Sequence, residues 1–126
     1  KNTKVMTMVR DKSLFPDDAN GDRLWRIFQI NQDQLQEVEV EFSTILPTQE
    51  LALEFGQFLL EKNQKLSFCQ YHGDENNPWE ITAYPTMDLT YENVANYQAL
   101  LEGNVQTYKG HYDGWFCAAA NEPHEA

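Results

Sequence analysis

Basic residues are scarce: nine Lys and Arg stand against twenty Asp and Glu, for a formal charge of −11. A chain that holds nucleic acid through its phosphates carries the opposite balance, so direct nucleic-acid binding is disfavoured. The balance fits a soluble protein, or one whose partner is positively charged. Cysteine is nearly absent. Two thiols, Cys69 and Cys117, in 126 residues make no disulfide framework. Both lie in strand-like surroundings. Two buried free thiols is the favoured reading, and a single bridge, needing Cα atoms within about 7 Å, stays open. Long apolar runs are missing, and none approaches the roughly 18–20 residues of a membrane span. The opening KNTKVMTMVRDK is basic but no apolar signal core follows, so a cytoplasmic location is expected. The six glycines are scattered and form neither a phosphate-binding loop nor a dinucleotide fingerprint.

Aromatic residues, by contrast, reach 13%, with three Trp, six Tyr and seven Phe, which argues against disorder. A chain of this length forms one domain and buries about two-thirds of its unfolded surface without a metal or disulfide staple. The chain divides into an amino-terminal arm (1–23), a single α+β domain (24–120) and a polar tail (121–126). The arm is basic in its first twelve residues and carries turn signals at Pro16-Asp17-Asp18 and Asn20-Gly21-Asp22. Its residues 5–9 are candidates for a short strand.

Leu24–Ile30 (LWRIFQI) is rich in aromatic and β-branched residues and reads as a strand. Glu37–Phe42 (EVEVEF) alternates strictly, setting Val38, Val40 and Phe42 against Glu37, Glu39 and Glu41. Thr48 opens a helix whose Leu51, Phe55, Phe58 and Leu59 follow one stripe, and Asn63 is a left-handed stop. Strands follow at Leu66–Tyr71 and Trp79–Tyr84. Thr90 caps a second helix carrying Val94, Tyr97, Gln98 and Leu101, ended by Gly103 or Gly110, and Tyr112–Ala119 is the last strand. Without the first strand the order is βαββαβ, a ferredoxin-like antiparallel sheet with two helices on one face. The extra strand Leu24–Ile30 then has no free edge beside the central strand Glu37–Phe42.

No catalytic centre stands out. His72, His111 and His124 are the histidines. His111 lies two residues before Asp113, but sequence proximity in a strand is a poor guide to a hydrogen bond. Neither cysteine lies in a nucleophile signature, and the Cys and His spacings fit no structural zinc site. No cofactor and no metal are expected. The feature of interest is the row Glu37, Glu39 and Glu41, with alternate side chains about 6.6–6.8 Å apart. It is either a solvated strand face or an anionic surface for a basic protein partner, extended by Glu80 and Tyr84 if they share that open face. Tyr112-Asp113-Gly114-Trp115 is the second feature, because a glycine inside a strand marks a bulge or a close backbone approach.

HYDGWFC resembles the D-G-W-G segment near the carboxyl terminus of the ribonuclease E inhibitor family, RraB. Asp113, Gly114 and Trp115 carry that match, and Phe116 stands where the family has its second glycine. Asp22–Arg26 resembles the family's first strand. Val38–Phe42 followed by Leu46–Ala52 resembles its V-x-F … F-P-T-E-x-x-A entry into the first helix, and Trp79-Glu80-Ile81 with Met87 its W-x-V strand. The resemblance covers about residues 20–118. It implies a ferredoxin-like fold and a small acidic bacterial protein, not an enzyme, that binds a ribonuclease or its degradosome scaffold and lowers RNA turnover. Two other functions compete with it. One is an immunity protein neutralising a basic nuclease toxin, which would be steered onto an acidic inhibitor. The other is a small-ligand binder or enzyme with a pocket near His111 and Trp115.

Overall fold

A computed structural model describes residues 9–122. Residues 5–8 of the expected arm strand and residues 123–126 of the tail, His124 included, lie outside the described residues.

The main correction falls at the start. Leu24–Ile30 is not a strand but the body of helix α1 (Ala19–Asn31), which begins inside the expected arm. Asp18 caps it, its carboxylate accepting from the Gly21 amide at 2.8 Å. Gly21, Leu24 and Ile27 form its buried stripe at helical spacing, with Phe28 one residue further on half-buried. Gly21 is required: a Cβ there would sit 1.8 Å from the Pro16 carbonyl oxygen, where the incoming chain crosses the helix. Phe15, in that incoming segment, packs against Trp25 and Phe28 with both ring centroids at 5.3 Å.

The alternating segment 37–42 also divides. Val38–Glu39 is β1, which pairs antiparallel with β5 (Thr86–Met87) in a two-stranded ribbon. Val40 breaks step, its amide donating to Pro85 O, and β2 (Glu41–Leu46) continues into the main sheet. The inward-facing residues are as expected: Val40 and Phe42 are fully buried, and Val38 packs against the core. Glu37 is not part of a strand. Its φ is +49° and its amide donates to Asp88.

Helix α2 (Gln49–Glu61) is capped by Thr48, which accepts from Leu51, and Asn63 turns left-handed (φ 61°) beyond its end. β3 (Leu66–Gln70) and β4 (Trp79–Ala83) follow. Helix α3 (Tyr91–Val105) is capped by Thr90, runs through Gly103, and passes by a 3₁₀ turn into β6 (His111–Phe116). The last strand is thus shorter than expected, and Ala118–Ala120 forms a second 3₁₀ turn.

The main sheet has the order β3-β4-β2-β6, with every neighbouring pair antiparallel. The architecture is a mixed α+β fold with three helices rather than two. α2 and α3 pack on the sheet, while α1 leans on α3 and on the turn 118–120. The displaced strand no longer needs an edge, so β2 is free to be central.

Candidate protein-binding face

Register assigns the faces of the sheet. Phe42 pairs with Ala83 on one side and Trp115 on the other, and Leu46 with Trp79. These side chains belong to the helix-covered core, where Trp79 stacks on Phe68 at 5.3 Å. The alternate positions face away: Glu41 and Ser43 on β2, Ser67 and Cys69 on β3, Glu80 and Thr82 on β4.

β6 reaches this arrangement through a bulge. Gly114 pairs with Ser43, yet Tyr112, two residues earlier, pairs with the adjacent Thr44, leaving Asp113 unpaired. The extra residue puts both Tyr112 and Trp115 against the core, where an unbroken strand would separate them. Gly114 has φ +134°, a conformation closed to most side chains. The Asp113-Gly114-Trp115 segment is therefore structural in its backbone. Trp115 is 7% exposed, donates from its indole N–H to Asn20 at 2.9 Å, and carries the Arg23 guanidinium 4.1 Å above its ring. Arg23 also bonds the Trp115 carbonyl and the Glu122 carboxylate, which Arg26 reaches as well. Burial alone would raise the Glu122 carboxyl, but the two guanidinium groups reverse that and hold it below the usual carboxylate range.

The outward face is predominantly acidic, with the Lys65 cation at its Tyr84 end. Glu41 and Glu80 are half-buried upon it, and neither makes an ion pair among the described residues. Glu39, next to it on β1, is held by Lys65 at 2.8 Å, and Lys65 lies 5.5 Å from the Tyr84 ring centroid. The Tyr84 hydroxyl is 2.8 Å from Ser67 Oγ, which fixes the ring on this same face. Of the expected acidic row, the fold links Glu39 to Tyr84 through Lys65, keeps Glu41 on the same face as Glu80 but four residues along β2 from the position opposite it, and sets Glu37 outside the strand.

Sequence reasoning missed Tyr71 and Asp113 as partners. The Tyr71 hydroxyl, at the end of edge strand β3, donates to Asp113 on the opposite edge strand at 3.3 Å. Its ring thus crosses the outward face, and Thr82 and Ile45, outward by register, are only 6% exposed. The Asp113 charge raises the Tyr71 hydroxyl above its ordinary value. Asp74, in the same loop, is lowered chiefly by the Asn77 side chain, with a smaller contribution from His111. Only a contact between opposite edge strands reveals this strap, and no sequence spacing signals it.

The remaining expectations concern ligands. Both cysteines are free. Cys117 is buried as expected, but Cys69 is exposed on the outward face. Among the described residues no group of three or more His, Cys, Asp and Glu is placed to hold a metal, and no helix is long and apolar enough to cross a membrane. A shallow cavity of about 440 Å³ borders His111, Tyr112, Glu102 and Gln106. Trp115 does not line it.

A family model described as Regulator of ribonuclease activity B, RraB, matches residues 17–117. The chain belongs to the RraB family. The match spans α1 through β6, so helix α1 and the bulged strand are both inside the RraB unit. No curated protein and no solved structure matches the chain.

Proposed function

We propose that this RraB-family chain is a non-enzymatic regulator of ribonuclease activity that binds its protein partner through the outward face of the sheet. The observation that carries the reading is Glu41 and Glu80, two carboxylates that make no ion pair among the described residues, on the sheet face opposite α2 and α3. Tyr71, Tyr84 and Asp113 accompany them. A basic surface approaching this face is accelerated and selected by complementary charge, and aromatic side chains supply contact area. The sheet order β3-β4-β2-β6 supports a ferredoxin-like split βαβ unit, in which both helices lie on one face and leave the other for a partner. Resemblance to inhibitors of ribonuclease E favours ribonuclease E or its scaffold region as the partner. Family membership favours this partner over a nuclease toxin.

Mixing the purified chain with ribonuclease E at low salt tests the reading. Complex formation with slowed RNA cleavage is expected. Absence of binding together with unchanged RNA cleavage would contradict it.

A further inference from the structure

A second surface lies on the helical side and shares no residue with the outward sheet face. The segment Ser13–Phe15, α1, the loop Asp33–Leu35 and the amino-terminal end of α3 enclose a half-open groove of about 550 Å³. That volume lies within the range of ligand-binding clefts. Leu24, Ile27 and Leu89 are its buried apolar residues, with half-buried Phe15 and Phe28 beside them. Leu14, also lining it, is 60% exposed.

The charges around the groove are of one sign. Among the described residues Asp33 and Glu92 line it, and no Lys or Arg does. The cations of the adjoining segment are committed elsewhere: Arg10 to Asp22 and Asp17, Lys12 to Asp17. Tyr91 is likewise engaged, its hydroxyl donating to Asp18. An apolar trough with unopposed carboxylates along it suits a chain that brings apolar anchors and positive charge together.

We propose that this groove docks a basic amphipathic segment of another protein. Apolar side chains of the segment enter between Phe15, Phe28 and Leu89, and its Lys or Arg side chains stand beside Asp33 and Glu92. A neutral apolar segment gains nothing from the two carboxylates, and an acidic one is repelled by them. The groove therefore selects for charge as well as for hydrophobicity.

The test is an amide-resolved NMR titration of the full chain with a synthetic amphipathic Leu/Lys peptide. Saturable shifts are expected at Leu14, Ile27, Leu35, Leu89 and Glu92. The same peptide with Ser in place of Leu keeps its charge and should leave these amides unmoved. The double substitution Asp33→Lys with Glu92→Lys should weaken binding about tenfold or more while the melting temperature falls only slightly, Glu92 being an exposed side chain in the first turn of α3. Shifts confined to the outward sheet face, no shifts, or undiminished affinity in the double variant each overturn the proposal. Two further results also overturn it by giving the groove another occupant. One is a large gain in peptide affinity on removing residues 1–8. The other is dimerisation of the chain alone that Leu14→Glu abolishes.

Discussion

The two faces of the four-stranded sheet are built from the same strands but solve different problems. On the inner face Phe42, Leu46, Ile81 and Ala83 are at most 1% exposed under α2 and α3. On the outer face the register sets Glu41, Ser43, Glu80 and Thr82 on the same two strands, with hydrogen-bonded hydroxyls between the carboxylates. The inner face is specified by volume and tolerates little change. The outer face buries Ile45 and Thr82 but leaves Glu41, Ser43 and Glu80 part-exposed, so the composition at those positions is free to be set by a partner. In an antiparallel sheet with one face covered, this division of labour follows from a period of two.

Substitutions separate the two faces by the size of their effects. Phe42→Ala should be the most damaging, costing about 3–5 kcal/mol as a fully buried aromatic whose cavity cannot close between two neighbouring strands. Chemical denaturation measures this, and a cost below about 1 kcal/mol would break the contrast. Gly114→Ala should cost about 1–3 kcal/mol, because a Cβ at φ +134° is strained even where space is open. The loss should appear as altered near-ultraviolet dichroism, since the bulge orients Trp115 and Tyr112 together. Glu122→Gln should cost about 1–3 kcal/mol by removing a well-shielded carboxylate from Arg23 and Arg26.

The Glu122 tie also carries a pH signature. Its carboxyl is lowered in the folded chain, so it binds fewer protons folded than unfolded in acid. Its contribution is complete above its unfolded value, about 4.5, and is lost as pH falls through the lower folded value. The difference in melting temperature between the native chain and Glu122→Gln should therefore shrink below about pH 4.5. A difference that grows in acid would show that the tie does not lower this carboxyl.

Much of the inner face was legible because its signals are local. Thr48 and Thr90 are capping residues followed by helical stripes, Asn63 suits a left-handed turn, and Val38, Val40 and Phe42 alternate. All of these act over a few residues. Leu24–Ile30 resembles a strand in its aromatic and β-branched composition, but its spacing is helical. The Asp18 cap and the stripe Gly21, Leu24, Ile27 and Phe28 were present in the sequence, and period outranks propensity once α3 offers a surface to cover. The outer face was half legible. Outward orientation of Glu39, Glu41, Glu80 and Tyr84 followed from alternation. The displacement of Glu37 did not, because it depends on Asp88 capturing its amide. The Tyr71–Asp113 strap was invisible for the same reason, being a contact between strands 42 residues apart.

The role assigned to the outer face is tested most directly by its two acids without ion pairs. Glu41→Lys with Glu80→Lys reverses the sign of both charges at half-buried positions of the face, where surface charges alter stability by only about 0–1 kcal/mol. Titration calorimetry against ribonuclease E, paired with melting curves of both chains, should show affinity falling about tenfold or more while the melting temperature stays nearly fixed. Equal affinity in the native and doubly substituted chains would contradict the assignment of this face to the partner.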